Sequence, residues 1–458
     1  MNMTLKEILA AVHGTLLQGD ENTIVTKIST DSRKMEAGSM FLPWRGERFD
    51  GHDFIASAME NGADGCLTAV VPETLHEGKF YIKVEDTRVA LKELAAAYRS
   101  RFDIPFVQIT GSTGKTTAKE MIATVLSEKY NTLKTIGNFN GDLGTPMILM
   151  DLNENHEAAV IETGMDNFGQ IRWLGEAVRP HYAVIINIGV AHMEYLGSRE
   201  GILKAKSEIF ENLDADGIAV LNGDDELLRT VNIPQKTLRC GMSEHCNVRI
   251  EDVVDRGVMG MRCTIRTEKA AYAVEIPAPG IHMCYAAAYA AAIAEQMGLG
   301  EEEIVRGIAA YVPAGDRMRV ERLAGERVML NDSYNANPQS MAGAVKILAN
   351  AGKMKKIAML GDMKELGGAE QEGHEEIGRL VAELGIDHLL CVGNLCRDYM
   401  VPAAKAAGCV DVRWYETKEA AWEDLLERFV PGSVLLLKAS HFSGRFDQVA
   451  DRLREHTF

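Results

Sequence analysis

The sequence predicts an α/β protein of three domains with mostly parallel sheets. The chain has 458 residues, which is longer than one hydrophobic core usually serves. From about residue 104 onward, short apolar segments alternate with segments of helical periodicity, the pattern of parallel strands covered by helices. We therefore expect a small α/β domain at residues 1–103, a central parallel-sheet domain at 104–313 and a C-terminal Rossmann-like α/β domain at 314–458.

Composition limits the partners of the protein. The net charge of −17 at pH 7 argues against binding of nucleic acid, which requires a basic stripe. The eight cysteines show neither Cys-x-x-Cys pairs nor zinc spacing, so we expect thiols in a reducing compartment. The first residues lack the features of a signal peptide, and no apolar run approaches the length of a membrane span. These features favour a cytoplasmic protein with no nucleic-acid partner and no membrane insertion.

A phosphate-binding loop is predicted in the central domain, between an apolar strand that ends at Thr110 and a helix that starts at Thr116. Apolar residues recur on one face of that helix at i, i+3, i+4 and i+7. The N–H groups at a helix start and the positive end of the helix dipole attract an anion. Lys115 adds a cation for the β- and γ-phosphates, and the Thr116 hydroxyl suits Mg²⁺. The residues expected to hold ATP are Gly111, Ser112, Thr113, Gly114, Lys115, Thr116 and Thr117.

This loop departs from the full Walker pattern in one position. The pattern requires a glycine five residues before Gly114, and that position is Ile109. A bare Gly-x-x-Gly-Lys-Thr can also be an ordinary turn from strand to helix. Because the strand and the helix are both present, nucleotide binding is the favoured interpretation.

Two further candidates follow predicted strands of the central domain. The apolar run 158–161 ends in Glu162, at the place where the magnesium partner of a phosphate loop lies in doubly wound sheets. The alternative is a solvated strand end. His192 lies in the loop after the strand 182–188, where it is either an exposed histidine or a metal ligand.

Lys206 lies on the apolar face of a predicted helix at 199–213, between Ile202 and Ile209. A lysine that faces inward is costly unless it is paired, neutralised or chemically modified. The alternative is that its stem is buried and its ammonium group reaches water. The charged residues expected to point away from this face are Lys204, Glu208 and Glu211.

Polar clusters mark the outer domains. Residues 30–33 and 45–52 contain arginines that suit an anionic substrate, although their Asp, Ser and Gly residues also favour ordinary turns. In the C-terminal domain, residues 332–338 and 360–367 each follow a predicted strand. Both clusters are therefore expected at the ligand-binding edge of that sheet.

Taken in order, these motifs resemble the Mur ligases of peptidoglycan synthesis over essentially the whole chain. The similar runs in the central domain are residues 110–117, 162–165 and 187–192. Two runs resemble the member of the family that adds D-alanyl-D-alanine: Tyr-Asn-Ala-Asn-Pro at 334–338, and 361–367 with His374 downstream. The Asp-Asn-Pro-Arg signature of the sister enzyme that adds the third amino acid does not occur in the sequence.

The resemblance implies a cytoplasmic, monomeric, ATP-dependent ligase that acts on small molecules. It would join D-alanyl-D-alanine to UDP-N-acetylmuramoyl-tripeptide through an acyl phosphate, giving the pentapeptide precursor of peptidoglycan, ADP and phosphate. Thr116 and Glu162 would hold one Mg²⁺, and His192 would help to hold a second. Lys206 matches a lysine that the family carries as a carbamate, its CO₂ adduct, which binds metal. The residues with implied catalytic roles are Lys115, Glu162, His192 and Lys206.

The resemblance also implies substrate contacts and closure of the third domain over the second. The residues that would hold the UDP-sugar substrate are Ser32, Arg33, Gly46, His52, Asn138 and Asn140. Those that would approach the nucleotide from the third domain are Arg317, Asn335 and Asn337. The chain departs from the family at Gly141-Asp142, where a second asparagine is usual, and at 438–445, a looser match to Lys-Gly-Ser-Arg.

Three other interpretations stay open from the sequence. Two are amide ligases of the same architecture, a sister Mur enzyme or a folylpolyglutamate synthase-like enzyme. The third is a nucleotide-dependent binding module without turnover, and ATP turnover that requires an added amine would distinguish an enzyme from it. The sequence does not decide between L-lysine and meso-diaminopimelate as the third residue of the tripeptide.

Overall fold

A computed structural model describes residues 1–46, 48–189, 193–364, 366–440 and 444–458. His192 therefore lies outside the described residues. The chain divides into two compact units. The first unit comprises Met1–Gln108, Tyr130–Ala183 and Glu208–Gly217, and the second comprises Ile109–Lys129, Val184–Ser207 and Ile218–Phe458. The predicted boundaries of the three domains, 1–103, 104–313 and 314–458, stay a prediction.

The N-terminal part is a small α/β arrangement, as predicted. Its strands are β1 (Met3–Thr4), β2 (Thr15–Gln18), β3 (Ile24–Val25), β4 (Lys27–Ser29), β5 (Ser39–Phe41), β6 (Gly65–Thr68) and β7 (Phe80–Lys83). Its helices are α1 (Leu5–Val12), α2 (Ile55–Glu60) and α3 (Thr87–Arg99). Strands β4 to β7 pair in parallel, and β2 closes this five-stranded sheet as an antiparallel neighbour of β7.

A nine-stranded sheet follows, in the order β16-β15-β14-β13-β12-β11-β8-β10-β9. Its strands are β8 (Phe106–Thr110), β9 (Thr132–Lys134), β10 (Ala158–Glu162), β11 (Tyr182–Ile185), β12 (Ile218–Asn222), β13 (Lys236–Gly241), β14 (Val248–Asp255), β15 (Met261–Arg266) and β16 (Ala271–Ile276). The helices of this region are α4 (Lys115–Leu126), α5 (Gly144–Leu149), α6 (Gln170–Val178), α7 (Met193–Leu196), α8 (Arg199–Ser207), α9 (His282–Gln296) and α10 (Glu301–Ala309). The edge formed by β14, β15 and β16 is antiparallel.

Helix α4 is buried on more sides than its periodicity indicates. The predicted apolar face is buried, but Lys119 and Glu120 are buried as well. The Lys119 Nζ lies 2.8 Å from a carboxylate oxygen of Glu120, so the two charges compensate each other. The reason is that α4 packs against both α9 and α10. The helix that carries the phosphate loop is thus a central helix with a buried ion pair.

The predicted helix at 199–213 is α-helical only to Ser207 and continues as a 3₁₀ turn over Glu208–Asn212. The prediction that Glu208 points away from the buried face is wrong. The Glu208 carboxylate is buried and accepts hydrogen bonds from the N–H groups of Gly169 (2.7 Å) and Arg172 (3.2 Å) at the start of α6. The tighter winding of a 3₁₀ turn changes which side chains share a face. Lys204 is exposed, as predicted.

The C-terminal part is an α/β sheet of six strands in the order β17-β18-β22-β19-β20-β21. Its strands are β17 (Arg319–Leu323), β18 (Arg327–Asn331), β19 (Lys355–Gly361), β20 (His388–Val392), β21 (Val412–Tyr415) and β22 (Ser433–Lys438). Its helices are α11 (Pro338–Ala349), α12 (Glu370–Glu383), α13 (Val401–Ala406), α14 (Trp422–Arg428) and α15 (Phe446–Glu455). Apart from the antiparallel edge strand β17, the strands pair in parallel. The strands predicted before residues 332–338 and 360–367 are β18 and β19, and the edges of the sheet are β17 and β21.

Across the described part of the chain, no helix combines the length and the apolar composition that crossing a membrane requires.

Candidate active site

The phosphate loop lies between β8 and α4, where the sequence predicts it. Gly114 directly precedes α4 with φ of 82°, a conformation that glycine adopts without strain. At Gly111, a Cβ would lie only 2.2 Å from the Ile186 side chain. The Lys115 ammonium group folds back on the loop and donates to the Gly111 carbonyl at 2.9 Å. Both glycines are therefore required by the shape of the loop.

Asn187 holds the first half of the loop, and no role was predicted for this side chain. Its Oδ1 accepts hydrogen bonds from the N–H groups of Ser112 and Thr113, both at 3.0 Å. Its Nδ2 donates to the carbonyl (2.9 Å) and the hydroxyl (3.2 Å) of Thr113. In addition, the Gly189 N–H donates to the Ser112 hydroxyl at 2.8 Å. The signal available in the sequence was a polar side chain two residues after the end of the apolar strand β11.

Lys206 is buried, with 2% of its surface exposed. Its ammonium group therefore does not reach water, and the alternative of a solvated lysine is excluded. Burial lowers the pKa of Lys206 well below its usual value, and the positive charge of Lys115 lowers it further. Both effects favour the neutral amine. The phosphate loop thus has a second, buried lysine in its electrostatic neighbourhood.

Glu162 is the last residue of β10 and is 2% exposed, so the alternative of a solvated strand end is excluded. Its N–H donates to the Thr135 hydroxyl at 2.9 Å. The Asn140 side chain donates to Oε1 of Glu162 at 2.8 Å, and the Asn140 carbonyl accepts from the Gly164 N–H at 2.8 Å. Asn140 thereby orients a buried carboxylate, whereas Asn138 is exposed.

His52 is a structural residue of its loop in this conformation. Its Nε2 accepts from the Ala69 N–H at 3.1 Å, so Nδ1 carries the proton and donates to the Asp50 carboxylate at 2.6 Å. Nearby in the sequence, the Gly46 N–H donates to the Phe49 carbonyl at 3.0 Å. Both ring nitrogens of His52 are therefore used in hydrogen bonds within the protein, one to its own loop and one to the residue after β6.

The turn with Ser32 and Arg33 exposes the Arg33 side chain to solvent. The Arg33 side chain is 82% exposed and lies 2.8 Å from the Asp31 carboxylate. This contact lowers the pKa of Asp31 to about 2. Ser32 is buried, and its carbonyl accepts from the Asn61 side chain at 3.0 Å. Of these two predicted contacts, only the Arg33 side chain is well exposed.

The predicted nucleotide contacts of the C-terminal part lie just before β17, at Arg317, and in the loop after β18, at Asn335 and Asn337. The Arg317 guanidinium stacks on the Tyr334 ring at 3.7 Å from its centre. The Asn337 side chain caps α11 and accepts from the Ser340 N–H at 2.8 Å. The Asn335 side chain accepts from the next backbone N–H. The two asparagine side chains thus shape the loop.

Lys438, at the end of β22, connects this loop to the sheet. It is 2% exposed, and its ammonium group donates to the Asp332 carboxylate at 2.6 Å and to the Asn335 carbonyl at 2.9 Å. The sequence placed Lys438 only in a loosely matching motif and gave it no role. The signal available in the sequence was a lysine at the end of an apolar run.

His374 holds the loop after β19. Its Nε2 accepts from the Met363 N–H at 3.0 Å, and its Nδ1 donates to the Glu370 carbonyl at 2.7 Å. Asp362 and Cys396 lie close enough to complete a metal-binding group, but the backbone N–H of Cys396 donates to the Asp362 carboxylate at 2.9 Å. Since both nitrogens of His374 are used, this cluster fixes the loop.

A glycine-bounded loop that joins a buried strand to the start of a helix, with a lysine directly after it, defines a P-loop α/β protein. Family models match three successive stretches of the chain. They are described as Mur ligase family, catalytic domain (24–99), Mur ligase middle domain (109–294) and Mur ligase, glutamate ligase domain (317–441). The chain belongs to the Mur ligase family.

Individual relatives are similar from end to end. The UDP-N-acetylmuramoyl-tripeptide--D-alanyl-D-alanine ligase of Bacillus subtilis is 36% identical over 439 residues, covering 95% of each chain. The crystal structure of MurF from Acinetobacter baumannii has a TM-score of 0.91 at 32% identity, covering 100% of this chain and 99% of that one. MurF ligase from Thermotoga maritima, solved in complex with ADP, has a TM-score of 0.83 at 27% identity, covering 94% and 97%. The predicted fold class, a three-domain α/β protein, is confirmed by these structures.

Proposed function

We propose that this protein is an ATP-dependent ligase that joins D-alanyl-D-alanine to UDP-N-acetylmuramoyl-tripeptide. The products are the UDP-N-acetylmuramoyl-pentapeptide, ADP and phosphate. The observation that carries the proposal is the end-to-end similarity to the Bacillus subtilis enzyme named for this reaction, 36% identity over 95% of both chains. The phosphate loop of this chain supports ATP as the energy source, as does the ADP complex of the Thermotoga maritima relative.

The reaction has two steps, each with one bond formed and one broken. An oxygen of the tripeptide carboxylate attacks the γ-phosphorus of ATP, the bond to ADP breaks, and an acyl phosphate forms. The amine of D-alanyl-D-alanine then attacks the acyl carbon, phosphate leaves, and the amine proton passes to solvent. The first step brings two anions together, so it requires fixed positive charge at the γ-phosphate. Lys115 and the N-terminus of α4 provide this charge.

The residues that would hold Mg²⁺ are Thr116, Glu162 and Lys206 as its carbamate, with His192 at a second ion. Hydroxyl and carboxylate oxygens are the ligands that Mg²⁺ prefers. The orientation of the buried Glu162 carboxylate by Asn140 (2.8 Å) is typical of a residue that orients a metal ligand. When bound, Mg²⁺ neutralises negative charge on the phosphates and the attacking carboxylate.

The environment of Lys206 supports its conversion to a carbamate. The neutral amine is the form that attacks CO₂, releasing one proton and leaving an N-carboxylate on the side chain. Burial and the Lys115 charge both lower the pKa of Lys206 and therefore increase the neutral fraction. Since a carbamate is an anion, it replaces repulsion from Lys115 by attraction.

We assign the remaining predicted residues to two substrates. The UDP-sugar site would comprise Ser32, Arg33, Gly46, His52, Asn138 and Asn140. Arg33 and Asn138 have exposed side chains suited to direct contact, whereas His52 holds its loop and Asn140 orients the Glu162 carboxylate. The nucleotide contacts of the C-terminal part would be Arg317, Asn335 and Asn337. The enzyme would work as a cytoplasmic monomer with domain boundaries near residues 103 and 313.

The test is ADP release from ATP with UDP-N-acetylmuramoyl-tripeptide and Mg²⁺, with D-alanyl-D-alanine or single amino acids as the amine. Turnover only with the dipeptide is the expected result, and Lys115→Met should abolish it. Turnover with a single amino acid would move the protein to a sister ligase. ADP binding without turnover by any amine would overturn the proposed activity. Tripeptides that end in L-lysine or meso-diaminopimelate, compared at equal concentration, would identify the accepted form.

A further inference from the structure

The segment that follows β11, residues 187–189, is fixed against its surroundings by several groups. The Ile188 N–H donates to the Asp225 carboxylate at 2.9 Å, and the Ile188 carbonyl accepts from the Arg199 guanidinium at 3.2 Å. The Asn187 carbonyl accepts from the Ser112 N–H at 3.2 Å. The backbone of this segment is therefore held at Asn187 and at Ile188, which leaves the Asn187 side chain in a defined position.

The fixed Asn187 side chain satisfies the first two N–H groups of the phosphate loop after Gly111. One amide oxygen accepts from both Ser112 and Thr113, and the amide nitrogen returns a hydrogen bond to the Thr113 carbonyl. These two N–H groups point at Asn187 and not at an anion. The N–H groups that remain for phosphate are those of Gly114, the N-cap residue, and of the first turn of α4, where the helix dipole adds to their effect.

The short loop explains why such a side chain is needed. Ile109 stands where the full Walker pattern has its first glycine, so fewer loop residues surround the phosphates. A short loop whose N–H groups had no partner would have alternative conformations, and ordering it on binding would weaken affinity. Asn187 removes this disorder before the nucleotide arrives, because its hydrogen bonds are made within the protein.

We infer that Asn187 is a positioning residue for ATP, which holds Ser112 and Thr113 so that phosphate is bound by the N-terminus of α4. This inference rests on the proposed nucleotide site.

The test compares three variants of the full-length protein by titration calorimetry with Mg-ADP and by thermal unfolding. Asn187→Ala removes the side-chain hydrogen bonds to Ser112 and Thr113. Asn187→Asp keeps the oxygen that accepts from Ser112 and Thr113 but places a negative charge beside the phosphates. The matched control is Asn247→Ala, because the Asn247 side chain also accepts from one backbone N–H (2.6 Å) and donates to one carbonyl (3.2 Å) in a loop elsewhere in the same unit.

We expect Asn187→Ala and Asn187→Asp to rank in opposite orders in ADP affinity and in unfolding temperature. Asn187→Ala should weaken ADP binding about tenfold or more, and Asn187→Asp should weaken it further although it unfolds at a higher temperature than Asn187→Ala. Binding of UDP-N-acetylmuramoyl-tripeptide should change less than twofold in both variants. Asn247→Ala should lower the unfolding temperature and leave ADP binding unchanged.

Two results would overturn the inference. One is ADP affinity within twofold of wild type in Asn187→Ala. The other is that the variant with the lower unfolding temperature, of Asn187→Ala and Asn187→Asp, also has the lower ADP affinity. A purely structural role of Asn187 would give that result. A wild-type protein that does not bind Mg-ADP would instead overturn the proposed function, so the two failures are distinguishable.

Discussion

Replacing Lys206 by methionine tests whether this buried side chain is neutral in the folded protein. Methionine has a similar length and no charge, so it fills the space of the lysine stem without the amine. Lys206 is 2% exposed, and burial is the main cause that lowers its pKa, followed by Lys115. We expect Lys206→Met to be more stable than wild type at neutral pH and to lack ligase activity.

The sign of the effect follows from proton linkage. The pKa of Lys206 in the folded protein lies well below the ordinary lysine value of 10.5, which the unfolded chain retains. Between these two pKa values the unfolded state binds more protons, so the free energy of unfolding rises with pH. For one proton the slope is about 1.4 kcal/mol per pH unit. At pH values below both pKa values, the wild type is destabilised by the full free energy that corresponds to the pKa shift. Lys206→Met removes this destabilisation.

The assay is urea unfolding at a series of pH values from neutral to mildly alkaline, in buffer freed of CO₂. The difference in unfolding free energy between Lys206→Met and wild type should shrink as pH rises. Lys204→Met is the matched control, because Lys204 is exposed on the same helix and its loss should leave the pH dependence unchanged. Adding ¹³C-bicarbonate should then give a carbamate NMR signal in wild type and Lys204→Met only.

Equal pH dependence in Lys206→Met and wild type would refute the neutral buried amine. A carbamate signal that persists in Lys206→Met would place the adduct on another residue. If the pH dependence is as expected but bicarbonate gives no signal, the burial argument holds and the carbamate is refuted. Partial rescue of ligation in Lys206→Ala by a short carboxylic acid would support the metal-binding role independently.

Two further predictions concern packing. Gly111→Ala places a Cβ 2.2 Å from the Ile186 side chain, so it should destabilise the protein by about 1–3 kcal/mol and abolish ADP binding. The control Gly343→Ala, in open space within α11, should be neutral or stabilising by about 0.5–1 kcal/mol, and equal urea midpoints for the two variants would contradict the argument. Lys438→Met leaves Asp332 without its 2.6 Å partner and should cost about 3–5 kcal/mol in urea unfolding. Adding Asp332→Asn should recover part of that loss, and strictly additive effects would show that the pair does not interact.

The location of the phosphate loop and the burial of Lys206 could be read from the sequence. Both depend on local information: an apolar strand, two glycines and a helix start for the loop, and an apolar stripe at helical spacing for Lys206. The strand ends that carry Glu162 and Asp332 were predictable for the same reason, since short apolar runs end where polar residues begin. Periodicity reports which face of an element is buried, and the structure agrees at these positions.

Hydrogen-bond partners far apart in the sequence were decided by the tertiary structure. Asn187 and Ser112 are 75 residues apart, and Asn140 and Glu162 are 22 apart. No local pattern connects such pairs, because their contact depends on how separate strands and loops pack. For the same reason a buried Glu208 escaped prediction. The sequence by itself determined where the phosphate loop, the strand-end Glu162 and the inward-facing Lys206 lie, because these depend on local patterns. Packing determined which side chains hold them in place.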